Sequence, residues 1–189
     1  SGKPGETVDV VITVTDENNK AISGKVCLTV DGDLVDYADL KSGKAKFEIK
    51  DLAVGDHNIA IYLINSNYTD DTFAAETITV AKGTPIVNVT GATVDYGKPA
   101  TVKVTVKDGS TNVDGYAVVT VNGVDYSVKI AKGTGSVTIT GLDSGNYPIT
   151  AKFLGNDNYT AADYAGAAKV VVKESKELNI EVIPNEVVY

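Results

Sequence analysis

Few side chains in this sequence could do chemistry. There is one histidine, His57, and one cysteine, Cys27. A nucleophilic triad needs a base beside its nucleophile, and a zinc site needs several His or Cys ligands. Neither Cys27 nor a second histidine lies near His57, so His57 reads as structural. Cys27 lies in Val26-Cys27-Leu28-Thr29-Val30 and shares the phase of Thr29, opposite to Val26 and Leu28. It reads as a packed, inert thiol that faces outward, with an intermolecular disulfide as the other use. A single cysteine permits no intrachain disulfide.

Two oxygen-rich stretches, Asn156-Asp157-Asn158-Tyr159-Thr160 and Asn67-Tyr68-Thr69-Asp70-Asp71, carry ligand types that suit calcium. Asn and Asp are also ordinary turn residues, and neither stretch has the carboxylate count of a dedicated site. No metal or cofactor is therefore expected. The loop from Asn156 to Thr160 remains the candidate for holding a partner. Asn67, Asn88 and Asn158 each begin an Asn-x-Thr sequence, an acceptor for N-glycosylation in a secreted protein. A Thr–Gln ester cross-link is impossible because the chain has no Gln. A Lys–Asn isopeptide needs a buried lysine, and the lysines of the clear strands fall in the outward phase. Tyr62, Tyr68, Tyr116, Tyr159 and Tyr164 could stack on sugar, but there is no Trp, and rim or core packing is the default use of such residues.

The elements that must position these residues are strands. Val, Ile, Ala, Tyr and Thr dominate the apolar and β-branched content of the 189 residues, with 43% hydrophobic and 22% charged residues. The net charge is −8 and there is no Arg. Nucleic acid needs a basic footprint, so nucleic-acid binding is not expected, and an anionic membrane surface is disfavoured for the same reason. No apolar run is long enough to span a membrane, so no membrane insertion is expected. The absence of Met predicts a segment of a longer polypeptide whose targeting and anchoring elements lie elsewhere.

The sequence repeats itself. Gly5 to Asp16 (GETVDVVITVTD) matches Gly97 to Asp108 (GKPATVKVTVKD), 92 residues on. Leu28 to Gly32 matches Val119 to Gly123, Gly43 to Leu52 matches Gly133 to Leu142, and Asn67-Tyr68-Thr69 matches Asn158-Tyr159-Thr160. Pro85 to Tyr96 (PIVNVTGATVDY) is echoed by Leu178 to Tyr189 (LNIEVIPNEVVY). The expected organisation is a first copy over 1–82 without its opening strand, a complete copy over 83–173, and a linker with the opening strand of a third copy over 174–189. An unpaired strand edge in the first copy would be a template for pairing.

In the second copy, Ala100, Val102, Val104 and Val106 alternate with Thr101, Lys103, Thr105 and Lys107, a period of two that marks a strand with one buried face. Val137 and Ile139, then Tyr147, Ile149, Ala151 and Phe153, repeat the pattern. Turn signals separate these runs at Asp108-Gly109, Asn122-Gly123, Lys132-Gly133 and Asp143-Ser144-Gly145. About seven strands follow for this copy, and single-faced strands require a second sheet. The expected fold is all-β, as tandem immunoglobulin-like antiparallel sandwiches. Leu142 to Tyr147 reads as a tyrosine corner, in which Tyr147 hydrogen-bonds back to nearby backbone. The same frame in the first copy is Leu52 to His57, with the histidine in the tyrosine's place.

The order Tyr-Gly, V-x-V-x-V, N-G, G-x-x-x-V-x-I-x-x-L, G-x-Y and then Gly-Asn-Asp-Asn-Tyr-Thr resembles the group 3 bacterial Ig-like repeats. Its Thr- and Asn-rich, acidic, Arg-free style resembles the adhesin-like surface proteins of methanogenic archaea. The resemblance implies an extracellular, cell-surface location, no shared catalytic residues, and neighbouring repeats of the same chain as partners. Two roles follow from it: a stalk, semi-rigid because its linkers 81–84 and 173–177 are short, or modules that themselves bind a cell-surface glycan or protein. An accessory module of a secreted wall-acting enzyme is a third.

Overall fold

The computed structural model describes residues 2–65, 72–175, 178 and 180–181. Among the described residues the chain is built of strands and turns without a helix, in two compact units: Ser1–Thr84 with Gly155–Thr160, and Pro85–Leu154 with Ala161–Tyr189.

The first unit carries β1 (Val8–Thr13), β2 (Lys25–Val30), β3 (Asp33–Asp39), β4 (Lys44–Ile49), β5 (Gly55–Ile64) and β6 (Thr72–Val80). β1 pairs antiparallel with β4, and the second sheet runs β3-β2-β5-β6. The alternation decides which atoms meet. Val26, Leu28 and Val30 from β2 and Ile59, Ile61 and Leu63 from β5 are buried against Ala45, Phe47 and Ile49 from β4. Each such side chain contributes roughly 1.5–3 kcal/mol of burial. Asp31 and Gly32 join β2 to β3 with φ of 55° and 92°, both left-handed, as a two-residue hairpin turn demands.

The second unit holds β7 (Ile86–Thr90), β8 (Ala92–Val94), β9 (Ala100–Asp108), β10 (Thr111–Asn112), β11 (Gly115–Val121), β12 (Val124–Ile130), β13 (Thr134–Ile139), β14 (Gly145–Phe153), β15 (Ala162–Asp163) and β16 (Lys169–Val172). One sheet is β7, β9 and β13 with the short β10; the other runs β12-β11-β14-β16-β8, with β15 on β14. Ala100, Val102, Val104 and Val106 are buried as their phase requires, against Val119, Val121, Ile149 and Phe153 of the facing sheet. This is the all-β sandwich expected of the sequence, antiparallel except where β8 meets β16, with ten strands among the described residues because the seven expected are supplemented by short ones.

One feature of this unit is absent from the sequence reading. The opening segment changes sheets: β7 lies antiparallel along β9, and β8 lies parallel to β16. Gly91, between them, packs against the backbone of Lys169, where a Cβ would overlap the Lys169 carbonyl. The switch works because that position has no side chain.

Candidate functional site

His57 lies on β5 near the turn after β2, and its side chain is only 14% exposed. Its Nδ1 donates to Asp31 Oδ2 at 2.7 Å and its Nε2 donates to Ala53 O at 2.9 Å. Both ring nitrogens thus face acceptors, an arrangement that fits the protonated imidazolium. The hydrogen bond to Asp31, and then the bond to Ala53, raise the His57 pKa above the usual 6.5. Asp31 is held below its usual 3.8 by the His57 bond and by the Asn58 N–H, which donates to Asp31 Oδ1 at 2.8 Å. In the second unit Tyr147 Oη donates to Asp143 O at 2.8 Å, four residues back, as His57 does to Ala53. The Asp31–His57 pair of the first unit stands where the second has Asn122 and Tyr147. Sequence reading missed Asp31; its signal was the Asp-Gly turn aligned with Asn122-Gly123.

Cys27 is half-buried on the outer face of β2. It is the direct cross-strand partner of both Tyr37 on β3 and Tyr62 on β5. Directly opposed residues share a face, so two tyrosines, 49% and 40% exposed, flank the thiol on the outer surface. The second unit places Ser127, Val118 and Lys152 in that row. Tyr37 was missed because its neighbourhood depends on how three strands pair. Tyr116 is exposed, Tyr159 half-buried, and half-buried Tyr164 accepts the Ala168 N–H at 3.0 Å. Tyr68 and the stretch 67–71 lie outside the described residues.

In the loop Gly155–Thr160, Asn156 Oδ1 accepts the N–H groups of Asn158 and Tyr159 at 2.9 and 2.8 Å. Gly83 N–H donates to Asn158 O and Thr160 N–H donates to Gly83 O, both at 2.9 Å, while Lys82 Nζ reaches Asn156 O at 2.7 Å. These bonds tie the loop to its own turn, to the Gly83 backbone and to the Lys82 ammonium. Asp157 is exposed, as are Asn158 and Asn88, the latter in β7; Asn67 lies outside the described residues. Among the described residues no three His, Cys, Asp or Glu side chains gather in a way that could hold a metal. None carries a buried polar or charged side chain, lysines included. A broad depression of about 590 Å³ beside Lys41, Lys44 and Lys46 is open to solvent.

No protein-family model matches the sequence, and no curated protein matches it. Solved structures do. The fibronectin(III)-like modules of CbhA from Clostridium thermocellum are similar over 95% of this chain and 94% of theirs, at 16% identity and a TM-score of 0.40. A β-glycosidase from Bacteroides vulgatus is similar over 90% of this chain but 23% of its own, at 12% identity and a TM-score of 0.34. The central fibronectin-III array of a RIM-binding protein is similar over 90% of this chain and 66% of its own, at 18% identity and a TM-score of 0.33. Strand order and register carry the assignment of both units as β-sandwich repeat modules.

Proposed function

We propose that this chain is a non-enzymatic structural stretch of an extracellular, adhesin-like cell-surface protein, in which tandem Ig-like sandwiches form a semi-rigid stalk. The supporting observation is that the residues best suited to chemistry are bound to their own fold. His57 and Tyr147 hold backbone carbonyls at equivalent corners, and the Asn156–Thr160 loop holds its own turn and Gly83. A spacer needs only repeated cores, and two such cores are present. The group 3 Ig-like resemblance and the methanogen-like surface style belong to this same reading.

The second reading, that the modules themselves grip a glycan or protein, is favoured by the exposed Tyr37 and Tyr62 beside Cys27. Retention of the labelled chain on intact microbial cells and on a glycan array separates the two. The stalk reading expects no binding above background. Saturable binding that is lost on Tyr37→Ala with Tyr62→Ala, or on changing Asn156–Thr160, would replace it with the adhesive one.

A further inference from the structure

The two units differ on one exposed sheet face. In the first unit, rows of directly opposed residues cross the outer face of β3-β2-β5-β6. The middle row is Tyr37, Cys27 and Tyr62. On one side of it stand Leu34, Thr29, Ala60 and Ala75, and on the other Asp39, Lys25 and Ile64. Leu34 is 53% exposed and Ile64 48%. The second unit fills the first two of these rows with Ser127, Val118 and Lys152, and with Asp125, Thr120 and Thr150. There Lys152 pairs with Asp163 at 3.9 Å, and Thr120 Oγ1 donates to Asp125 Oδ1 at 2.6 Å. The same place in the sandwich is solvated in one unit and apolar in the other. Repeating a core does not require that difference, because these side chains face away from the core.

A whole aromatic side chain presents about 150–250 Å², so the exposed parts of Leu34, Tyr37, Tyr62 and Ile64 make up roughly 250–400 Å² of apolar surface on one copy. That reaches the size of the largest patch on a typical monomer, which is often functional. The surface is a sheet face, and its natural cover is another sheet face of the same twist, about 10 Å away and turned by about 30°. A second copy of the chain supplies one. Its large and small residues also match. With a two-fold axis running along the strands between β2 and β5, Tyr62 of one copy lies over the partner's Cys27, and Leu34 over the partner's exposed Ala75. Thr29 lies over the partner's Ala60, and the methylene stem of Lys25 over the partner's Ile64. Symmetry makes each of these contacts twice.

We propose that the first unit pairs through this face with the first unit of a second copy, joining two chains side by side. The pairing goes beyond the stalk reading and does not depend on it. Two copies cover roughly 500–800 Å² of apolar surface, which puts the pair at the weak, reversible end of protein contacts. Cys27 marks the contact without bonding across it. The facing backbones stand about 10 Å apart, whereas a disulfide needs Cα atoms within about 4.4–6.8 Å.

Sedimentation of the whole chain from micromolar to millimolar concentration tests this. The apparent mass should rise from the 19.7 kDa of one chain toward twice that and no further, because a two-fold contact closes on itself. Leu34→Asp with Tyr62→Asp should shift the half-association concentration upward by at least about tenfold, since both losses count in both copies. Tyr116→Asp, on the exposed face of the second unit, should leave it unchanged. Circular dichroism should show both variants folded as the parent is. At associating concentrations a short flexible bis-maleimide should link two parent copies through Cys27 and fail with the double variant. Single copies at every concentration would overturn the proposal, and retention on the glycan array lost with the same double substitution would give the face to a glycan instead. Association that is indifferent to the double substitution, that continues past two copies or that leaves Cys27 unlinked would overturn it as well.

Discussion

Replacing Gly91 with Ala sets two opposed effects against each other, and their sizes decide the sign. In the unfolded chain alanine has fewer conformations than glycine, which alone would stabilise the protein by about 0.4–1 kcal/mol. In the folded chain the new Cβ would overlap the Lys169 carbonyl oxygen and lie 2.8 Å from the Lys169 carbonyl carbon and 3.0 Å from its nitrogen. Nonbonded carbon atoms settle at about 3.5–4.0 Å, so the joint between β7 and β8 must retreat from β16 by roughly an ångström. That retreat pulls at the register Val170–Ala92, Val171–Thr93 and Val172–Val94, and it lifts Val87 from the core. Overpacking of this kind costs about 1–3 kcal/mol, and a lost backbone hydrogen bond adds about 0.5–1.5 kcal/mol. The net expectation is destabilisation by about 0.5–4 kcal/mol. For a unit of this size that lowers the melting temperature by roughly 2–30 °C. Urea titration followed by far-UV circular dichroism measures it as a lower midpoint with an unchanged slope. Gly145→Ala is the internal control, because the nearest atoms to its Cβ would be those of the Tyr147 side chain at 3.6 Å, an ordinary contact. A Gly91→Ala midpoint at or above that of the parent would refute the sheet-switch reasoning.

The corner, the pH response and the two cores offer further tests. Tyr147→Phe removes the bond from Oη to Asp143 O and should cost about 0.5–1.5 kcal/mol in the same titration. The raised pKa of His57 makes its contribution fully present below pH 6.5 and lost as pH rises through the higher folded value. The lowered pKa of Asp31 makes its contribution present above pH 3.8 and lost as pH falls through the lower folded value. The pair therefore stabilises the first unit most between pH 3.8 and pH 6.5. Urea midpoints measured across that range and beyond it should show this dependence, and Asp31→Asn with His57→Tyr should abolish it. Leu28→Ala should lower the stability of the first unit by about 2–5 kcal/mol, and Phe153→Ala that of the second by about 3–5 kcal/mol, because both side chains are fully buried. Two unfolding transitions, each moved by only one of these substitutions, are the expected result in scanning calorimetry.

Period-two alternation made the strands readable, since Val102, Val104 and Val106 can share a buried face only in extended backbone. The Asn122-Gly123 pair marked a hairpin turn because few other residues accept two left-handed conformations in succession, and Asp31-Gly32 adopts the same conformations in the first unit. What stayed hidden depends on contacts between segments far apart in sequence. Asp31 and His57 are 26 residues apart and meet only because β2 pairs with β5. Tyr37 and Tyr62 flank Cys27 only through the order β3-β2-β5. Nothing in the sequence singles out Gly91, and only the parallel approach of β8 to β16 shows why nothing larger fits. At the Asn156–Thr160 loop residue types alone do not separate a partner-binding surface from a turn, because Asn and Asp suit both. Its pairing with Gly83 runs largely through backbone atoms, which carry no signature in the residue types.

Pulling the chain by its two ends in single-molecule force spectroscopy tests the stalk most directly. A spacer made of independent sandwiches must bear load as separate bodies. Two discrete unfolding steps are predicted, one for each compact unit, each releasing roughly 300 Å of extended chain. A single step, or smooth extension without resistance, would contradict the account of this chain as a load-bearing tandem of sandwiches.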